Sequence, residues 1–280
     1  MDSQMIFSKP LYVLSVLALL LTPTLSYAED ALIFSAPPRE TPEKGVKTYG
    51  EIAAFLTKVI GKKVIYKHSR NWMAYSADMR KGKYDIVFDG PHFVSWRVKA
   101  QDHTPLVKIP GDFTFVILTQ KDNDKIQTVS DLVSKKICGH APPNQGTLRI
   151  YNQFENPMRL PVLNQVKGWR NIYKAMINKE CDGAIVPSKI YNKLDKEGLQ
   201  TRVLLRTKAT PGQAITASKK FNVKMVTKMR EALLSEEGKL ATAALRKRFA
   251  SPKLTEATSN EYDTVYKILR DTYGFNVAGK

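Results

Sequence analysis

The residues best suited to bind or transform a small molecule lie in one short segment, Asp89-Gly90-Pro91-His92. The apolar run 84–88 before it predicts a buried strand of a parallel sheet, and Pro91 favours the first position of a helix. Ligands of open α/β sheets bind at the carboxyl ends of strands, beside free helix N–H groups. Asp89 and His92 are therefore expected to face a cleft. The alternatives are that Asp89 only caps the helix and that His92 fills a polar niche.

Two further side chains have the chemistry of ligand contacts. Arg39 follows Pro37-Pro38 and suits a bidentate bond to a carboxylate or phosphate, although a surface arginine would look the same. Trp72 suits stacking on a planar ligand or a cation, although it also suits a packing anchor. Trp96 and Arg97, on the helix after His92, are expected to serve helix packing and a solvated face.

The motifs of several common enzyme classes are missing. The sequence has no Gly-x-Ser-x-Gly elbow, no His-Glu-x-x-His, no Walker loop and no calcium-loop spacing. Asp89 and His92 offer an acid–base pair, but no nucleophile aligns with them. We therefore expect a binding protein without a cofactor rather than an enzyme.

The N-terminus predicts export. Lys9 precedes the apolar run 11–21, and Ser26-Tyr27-Ala28 supplies the small residues of a signal-peptidase site. Residues 1–28 are thus expected to be a signal peptide that is cleaved after Ala28. The mature protein should then be soluble, exported and periplasmic.

The two cysteines, Cys138 and Cys181, are an even pair in a chain expected to reach an oxidising compartment. Each opens a predicted strand, so a disulfide between them is expected, with two free buried thiols as the alternative. Cys138-Gly139-His140 could belong to a metal site. No other histidine stands at ligand spacing, and no metal is expected.

The charge balance is strongly basic. The chain has 44 Lys and Arg against 26 Asp and Glu, a net charge of +18. The excess is spread along the sequence instead of forming a dense arm or an aromatic-interleaved stripe, which argues against nucleic-acid binding. We interpret it mainly as a solvated basic surface.

Strands and helices alternate in two series, which predicts an α/β protein. The first helix has capping-box spacing at 48–51 and a stop at Gly61, and a later helix over 223–237 has a stop at Gly238. The β-rich runs 113–119 and 213–218 predict two crossings between lobes. The predicted lobes are 29–117 with 213–280, and 118–212. The ligand is expected to bind in the cleft between them.

The order of these segments resembles the type II periplasmic binding proteins of ABC importers, and within them the phosphate/phosphite/phosphonate-binding family. The resemblance spans nearly the whole mature chain. It rests on the segments 32–38, 81–91, Gly168-Trp169 and 182–184, of which the glycine, strand, Asp-Gly-Pro pattern is the most specific.

The resemblance implies a hinged receptor that closes on its ligand and delivers it to a membrane permease. Its ligand groups come from strand ends in both lobes. In this sequence they map to Tyr49, the loop 89–92, the loop 144–147, Gly168-Trp169 and Pro187-Ser188.

One loop departs from the family pattern. The family's phosphonate loop is rich in serine and threonine, whereas this chain has Asn144, Gln145 and Thr147, with Trp169 where the family commonly has histidine. Amides and tryptophans favour a larger ligand with a planar or apolar part and fewer anionic oxygens.

The sequence therefore predicts a monomeric periplasmic protein that binds a small anionic or zwitterionic, phosphonate-like solute. Arg39 and the helix N-termini would hold negative groups, Asp89 a positive or donor group, and the tryptophans a planar part. A subunit that reports to a membrane receptor or kinase, and an enzyme of pyrimidine- or thiamine-like compounds, remain alternatives. The residues expected to line the cleft are Arg39, Tyr49, Trp72, Asp89, His92, Asn144, Gln145, Thr147 and Trp169.

Overall fold

The computed structural model describes residues 31–275, which form two β-sheets flanked by helices. The first sheet has six strands in the order β11-β4-β10-β3-β1-β2. β1 is parallel to both β2 and β3, whereas β10 lies antiparallel between β3 and β4. The strands of this sheet are β1 (Leu32–Ser35), β2 (Val64–Tyr66), β3 (Ile86–Asp89), β4 (Thr104–Lys108), β10 (Ala214–Ala217) and β11 (Thr255–Glu256).

The second sheet has five strands in the order β7-β6-β8-β5-β9. β6 is parallel to β7 and β8, and β5 lies antiparallel between β8 and β9. In each sheet the strand that follows a crossing, β10 or β5, runs antiparallel to its neighbours, and β11 at the edge of the first sheet is also antiparallel to β4. The strands are β5 (Phe115–Gln120), β6 (Lys136–Gly139), β7 (Val162–Gln165), β8 (Gly183–Pro187) and β9 (Thr201–Arg206).

Helices follow most strands and cover the sheets. Those around the first sheet are α1 (Pro42–Ile60), α2 (Trp72–Arg80), α3 (Pro91–Gln101), α7 (Val223–Leu234), α8 (Glu236–Ala241), α9 (Ala243–Arg248) and α10 (Lys267–Tyr273). The second series contributes α4 (Gln145–Tyr151), α5 (Trp169–Ile177) and α6 (Ser188–Leu194). Short 3-10 helices span Val129–Leu132, Pro157–Arg159 and Asn260–Tyr262. In the described part of the chain, no helix is both long and apolar enough to span a membrane.

The chain changes sheet twice, through residues 109–114 and 207–213. These connections pair with each other, because Phe113 and Thr210 form an antiparallel bridge with N···O distances of 2.8 and 3.2 Å. The expected crossings are present, although the boundary predicted at residue 117 falls within β5, which lies wholly in the second sheet. The division into lobes at the predicted residues stays a prediction.

Apolar side chains form a separate core for each sheet. Ile52 and Leu56 of α1 pack with Phe34 and Phe88 under the first sheet. A third cluster joins the two halves, because Leu148 of α4 is fully buried among side chains of α2, α3 and α10. The segment that carries the Asn144–Thr147 loop is therefore anchored to helices of the first sheet.

Two predicted helix boundaries are wrong. α1 begins at Pro42, where the Thr41 side chain accepts from the Lys44 N–H, so Thr48 lies inside the helix and its hydroxyl donates to the Lys44 carbonyl. Gly238 does not end a helix but lies inside α8. A Cβ there would come 2.2 Å from the Ala232 carbonyl oxygen, so glycine allows the close approach of α8 to α7. The predicted stop at Gly61 is correct, with φ at 78°.

Cys138 and Cys181 form a disulfide with an S–S distance of 2.06 Å, in agreement with the pairing expected from the sequence. Cys138 lies in β6 and Cys181 just before β8. The predicted signal peptide and its cleavage site lie outside the described residues.

Candidate functional site

The loop between β3 and α3 presents a helix N-terminus without a side-chain cap. Gly90 is the N-cap residue, and Pro91 occupies the first turn as predicted. A Cβ on Gly90 would lie 3.0 Å from His92 Cε1, 3.2 Å from His92 Nδ1 and 3.6 Å from Arg39 Nη2. Arg39, from the loop after β1, thus meets His92 at the start of α3. This places a guanidinium beside the positive end of a helix.

His92 connects the loops that follow β3 and β6. Its ring is buried, and Nε2 lies 3.0 Å from the carbonyl oxygen of Pro143. Desolvation lowers the pKa of His92 to about 3, against the opposing effect of the Pro143 carbonyl, and the charges of Arg39 and Arg149 lower the pKa further. The ring is therefore neutral at physiological pH.

Tyr49 lies on α1 close to Arg39. Its side chain is fully buried, and burial raises the pKa of its hydroxyl while the nearby Arg39 opposes the increase. Among the described residues, neither the Tyr49 hydroxyl nor Arg39 Nη1 has a partner at hydrogen-bond distance and angle, although Arg39 is near enough to the hydroxyl to lower its pKa. The Tyr66 ring packs on Tyr49 with a centroid distance of 5.1 Å, which fixes the ring in place.

In the predicted loop 144–147, most polar side chains form hydrogen bonds within the protein. Asn144 caps α4 by accepting from the Gly146 N–H at 2.9 Å. The buried Thr147 hydroxyl donates to the His140 carbonyl. Gln145 differs, because its Nε2 donates to the Thr210 hydroxyl at 3.3 Å while its buried Oε1 has no partner in the described part of the chain.

Asp89 is engaged within the protein. One carboxylate oxygen accepts from the Tyr75 hydroxyl at 2.6 Å, and the other accepts from Arg97 Nε at 2.7 Å. Both members of the ion pair are completely buried. The expectation of a solvated face for Arg97 is therefore wrong, and so is helix capping by Asp89. The predicted ligand role of Asp89 stays a prediction. In the structure its carboxylate forms a buried ion pair that joins the end of β3 to α3.

The two predicted tryptophans both have aromatic partners. Trp72 stacks on Phe93 at a centroid distance of 6.3 Å and contacts Tyr75 edge-on at 6.4 Å. Trp169 contacts the His140 ring edge-on at 4.3 Å. Each is half-buried, and its role towards a ligand stays a prediction.

Three residues at this site were not identified as candidates in the sequence. Tyr75 and Arg97 hold Asp89, and Thr210 orients Gln145. A signal existed for Arg97, since it lies on the helix that Asp89 precedes. For Thr210 the only signal in the sequence was its position next to the second predicted crossing. No group of His, Cys, Asp and Glu able to hold a metal ion occurs within residues 31–275.

The family of the chain is identified by its sequence. A sequence model of the family described as "ABC transporter, phosphonate, periplasmic substrate-binding protein" matches residues 34–262. The chain belongs to this family. The membership predicted from the sequence is therefore confirmed. The family consists of substrate-binding proteins of transporters and is typically periplasmic.

Solved structures agree with the type II periplasmic binding fold. A Xanthomonas citri protein bound to chloride ion has a TM-score of 0.67 at 12% identity, covering 88% of this chain and 98% of that one. The same protein has also been solved bound to ATP. At such identities the likeness establishes the fold alone.

Two other similar structures are of proteins connected with phosphonate. A binding protein component of the ABC phosphonate transporter of Pseudomonas aeruginosa has a TM-score of 0.59 at 14% identity and covers 89% of this chain and 90% of its own. A Prochlorococcus marinus protein in complex with methylphosphonate has a TM-score of 0.62 at 15% identity, with coverages of 86% and 97%. No curated protein sequence gives a match.

Proposed function

We propose that this protein captures a small anionic or zwitterionic solute of the phosphonate class and delivers it to the membrane permease of an ABC importer. Membership of the phosphonate-binding family supports the transport role. The solute class rests on the chemistry of the site, and on the phosphonate named for two structural neighbours.

One observation carries the proposal. Four of the predicted site residues have a buried polar atom without a hydrogen-bond partner in the described part of the chain: Arg39 Nη1, Tyr49 Oη, His92 Nδ1 and Gln145 Oε1. A buried polar group left unpaired costs about 1–3 kcal/mol, so native proteins keep few of them. Such a set at residues predicted to bind a ligand is what a solute site requires, because the solute provides the missing partners.

The charges and dipoles match an oxyanion. Arg39 supplies a guanidinium that can bind two oxygens at once, and the uncapped start of α3 adds backbone N–H donors. The net charge of +18 also favours the approach of an anion, since a basic surface steers anionic ligands.

Isothermal titration calorimetry of the exported chain with phosphate, phosphite, methylphosphonate and aminoethylphosphonate tests the proposal. A solute at about a hundred times its Kd should also stabilise the fold by about 2.7 kcal/mol in a thermal-shift assay. Arg39→Ala should weaken binding by about tenfold or more, because it removes a charge-assisted bond. Arg159→Ala, which removes the same charge from an exposed position, is the matched control. If none of these anions binds the wild type, the proposed solute class is refuted.

A further inference from the structure

Backbone carbonyls determine which atoms of the site donate and which accept. The Pro143 carbonyl oxygen, 3.0 Å from His92 Nε2, can only accept a hydrogen bond. Nε2 must therefore carry the hydrogen. In a neutral imidazole the other nitrogen then has a lone pair, so His92 Nδ1 is an acceptor.

The groups around His92 keep its ring neutral, so Nδ1 keeps its lone pair. Desolvation lowers the pKa of His92, and the neighbouring charges of Arg39 and Arg149 act in the same direction. The adjacent acid, Asp89, has both oxygens bound to Tyr75 and Arg97. No carboxylate is thus available from that residue to favour an imidazolium, and Nδ1 stays an acceptor at physiological pH.

Nδ1 also lies near Gly90 at the start of α3, which Arg39 approaches as well. It is buried and has no hydrogen-bond partner within residues 31–275. The position of a Cβ on Gly90 would be 3.2 Å from Nδ1 and 3.6 Å from Arg39 Nη2. An acceptor and a cation therefore both approach Gly90. This combination does not suit a bare oxyanion, whose oxygens are all acceptors.

Gln145 also has an unpaired acceptor, for an independent reason. The Thr210 hydroxyl donates its hydrogen to the Phe113 carbonyl at 2.9 Å. Its oxygen must then accept from Gln145 Nε2, at 3.3 Å. That bond leaves Gln145 Oε1 as a second buried acceptor without a partner in the described chain.

We propose that His92 selects a singly protonated tetrahedral oxyanion: the ligand donates its remaining O–H to Nδ1 while its other oxygens accept from Arg39 and the start of α3. A fully deprotonated group would place an oxygen lone pair against the Nδ1 lone pair. The inference rests on the proposed function and specifies the protonation state of the solute that this site takes.

Two probes of matched shape and charge test the selection. Methylphosphonate monoanion carries one O–H, whereas methanesulfonate carries the same single charge but no such hydrogen. Calorimetry should give a Kd for methanesulfonate that is at least about tenfold weaker, because the buried acceptor is left unpaired. The affinity for methylphosphonate should fall with rising pH once its second ionisation begins, approaching tenfold per pH unit.

One substitution removes the acceptor at Nδ1 and keeps the hydrogen bond to the Pro143 carbonyl that links the two loops. In His92→Gln, the amide nitrogen can still donate to the Pro143 carbonyl, but the acceptor at Nδ1 is lost. We expect methylphosphonate to bind about tenfold or more weakly, whereas methanesulfonate should bind at least as tightly as to the wild type because the opposing lone pair is gone, so that discrimination is lost. His103→Asn, at a buried histidine bonded to Thr216, should retain the discrimination.

The outcomes distinguish the two proposals. If the wild type binds both probes equally, or binds methylphosphonate more tightly as pH rises, the role of His92 is refuted and the proposed function stands. If His92→Gln keeps the discrimination, the role of His92 is likewise refuted. If no oxyanion binds, both proposals fail.

Discussion

The substitution Asp89→Asn should destabilise the protein strongly, because it removes the only negative charge in a completely buried ion pair. Arg97 is fully inaccessible to solvent, and its Nε bonds to Asp89 at 2.7 Å. An asparagine has nearly the same shape but no charge. The guanidinium would then remain buried without an opposite charge, since Tyr75 and Gln101, its other hydrogen-bond partners, are neutral.

Breaking a buried ion pair by removing one partner costs about 3–5 kcal/mol. For a chain of this size, 1 kcal/mol corresponds to roughly 2–4 °C in Tm, so Tm should fall by about 6–20 °C. Adding Arg97→Met should recover most of the loss, because removing both charges also removes the unpaired one.

Thermal and urea unfolding of the single and the double variant measure these changes. The control is Asp122→Asn, which breaks an ion pair with Lys179 in which both side chains are about two-thirds exposed, at 68% and 70%. It should cost less than about 1 kcal/mol. The reasoning would be refuted if Asp89→Asn kept its stability and lost oxyanion binding, since Asp89 would then act on the ligand as the sequence suggested.

Three further changes test other parts of the structure. Leu148→Ala should cost about 2–5 kcal/mol and weaken solute binding, because Leu148 anchors α4 to helices of the first sheet; Met158→Ala, at a residue 87% exposed, should cost almost nothing in the same urea titrations. A small loss at Leu148 would contradict the anchoring. Burial lowers the pKa of His103 well below its usual value, so the unfolded chain binds the additional proton and stability should decline as pH falls below about 6.5. His103→Asn should show a shallower decline in Tm between pH 7 and 5, and an identical slope would count against a buried neutral ring. Reduction of the disulfide between Cys138 and Cys181, which are 43 positions apart, should lower the free energy of unfolding by about 2–4 kcal/mol; an unchanged urea midpoint would argue against the bridge.

The sequence was most informative where one local preference decided the conformation. Pro91 occupies the first turn of α3, and Gly61 ends α1 with a left-handed backbone. The start of α1 was misjudged because Thr41-Pro42-Glu43 and 48–51 both carry N-terminal signals. The extra first turn adds no large apolar side chain to the core, since Val46 is exposed, and the helix begins where Pro42 occupies its first position and the Thr41 side chain caps it.

The site was less predictable, because hydrogen-bond partners come from distant parts of the chain. Asn144, Gln145 and Thr147 were equivalent candidates in the sequence. The structure leaves an unpaired acceptor only on Gln145, through its bond to Thr210, which is 65 positions away. Nothing in the local sequence distinguishes an amide that caps its own helix from one whose oxygen is left without a partner.

The sequence by itself determined the class of fold: alternating strands and helices with two crossings specify an α/β protein, because each depends on local backbone preference and hydrophobic period. The resemblance to a known family added the binding role. Only the tertiary structure decided the role of each polar side chain. Burial makes a hydrogen bond or an ion pair obligatory, and the partner that satisfies it is set by which loops meet in space. That is why Asp89 belongs to a buried ion pair with Arg97, and why His92 is left with an acceptor beside Arg39.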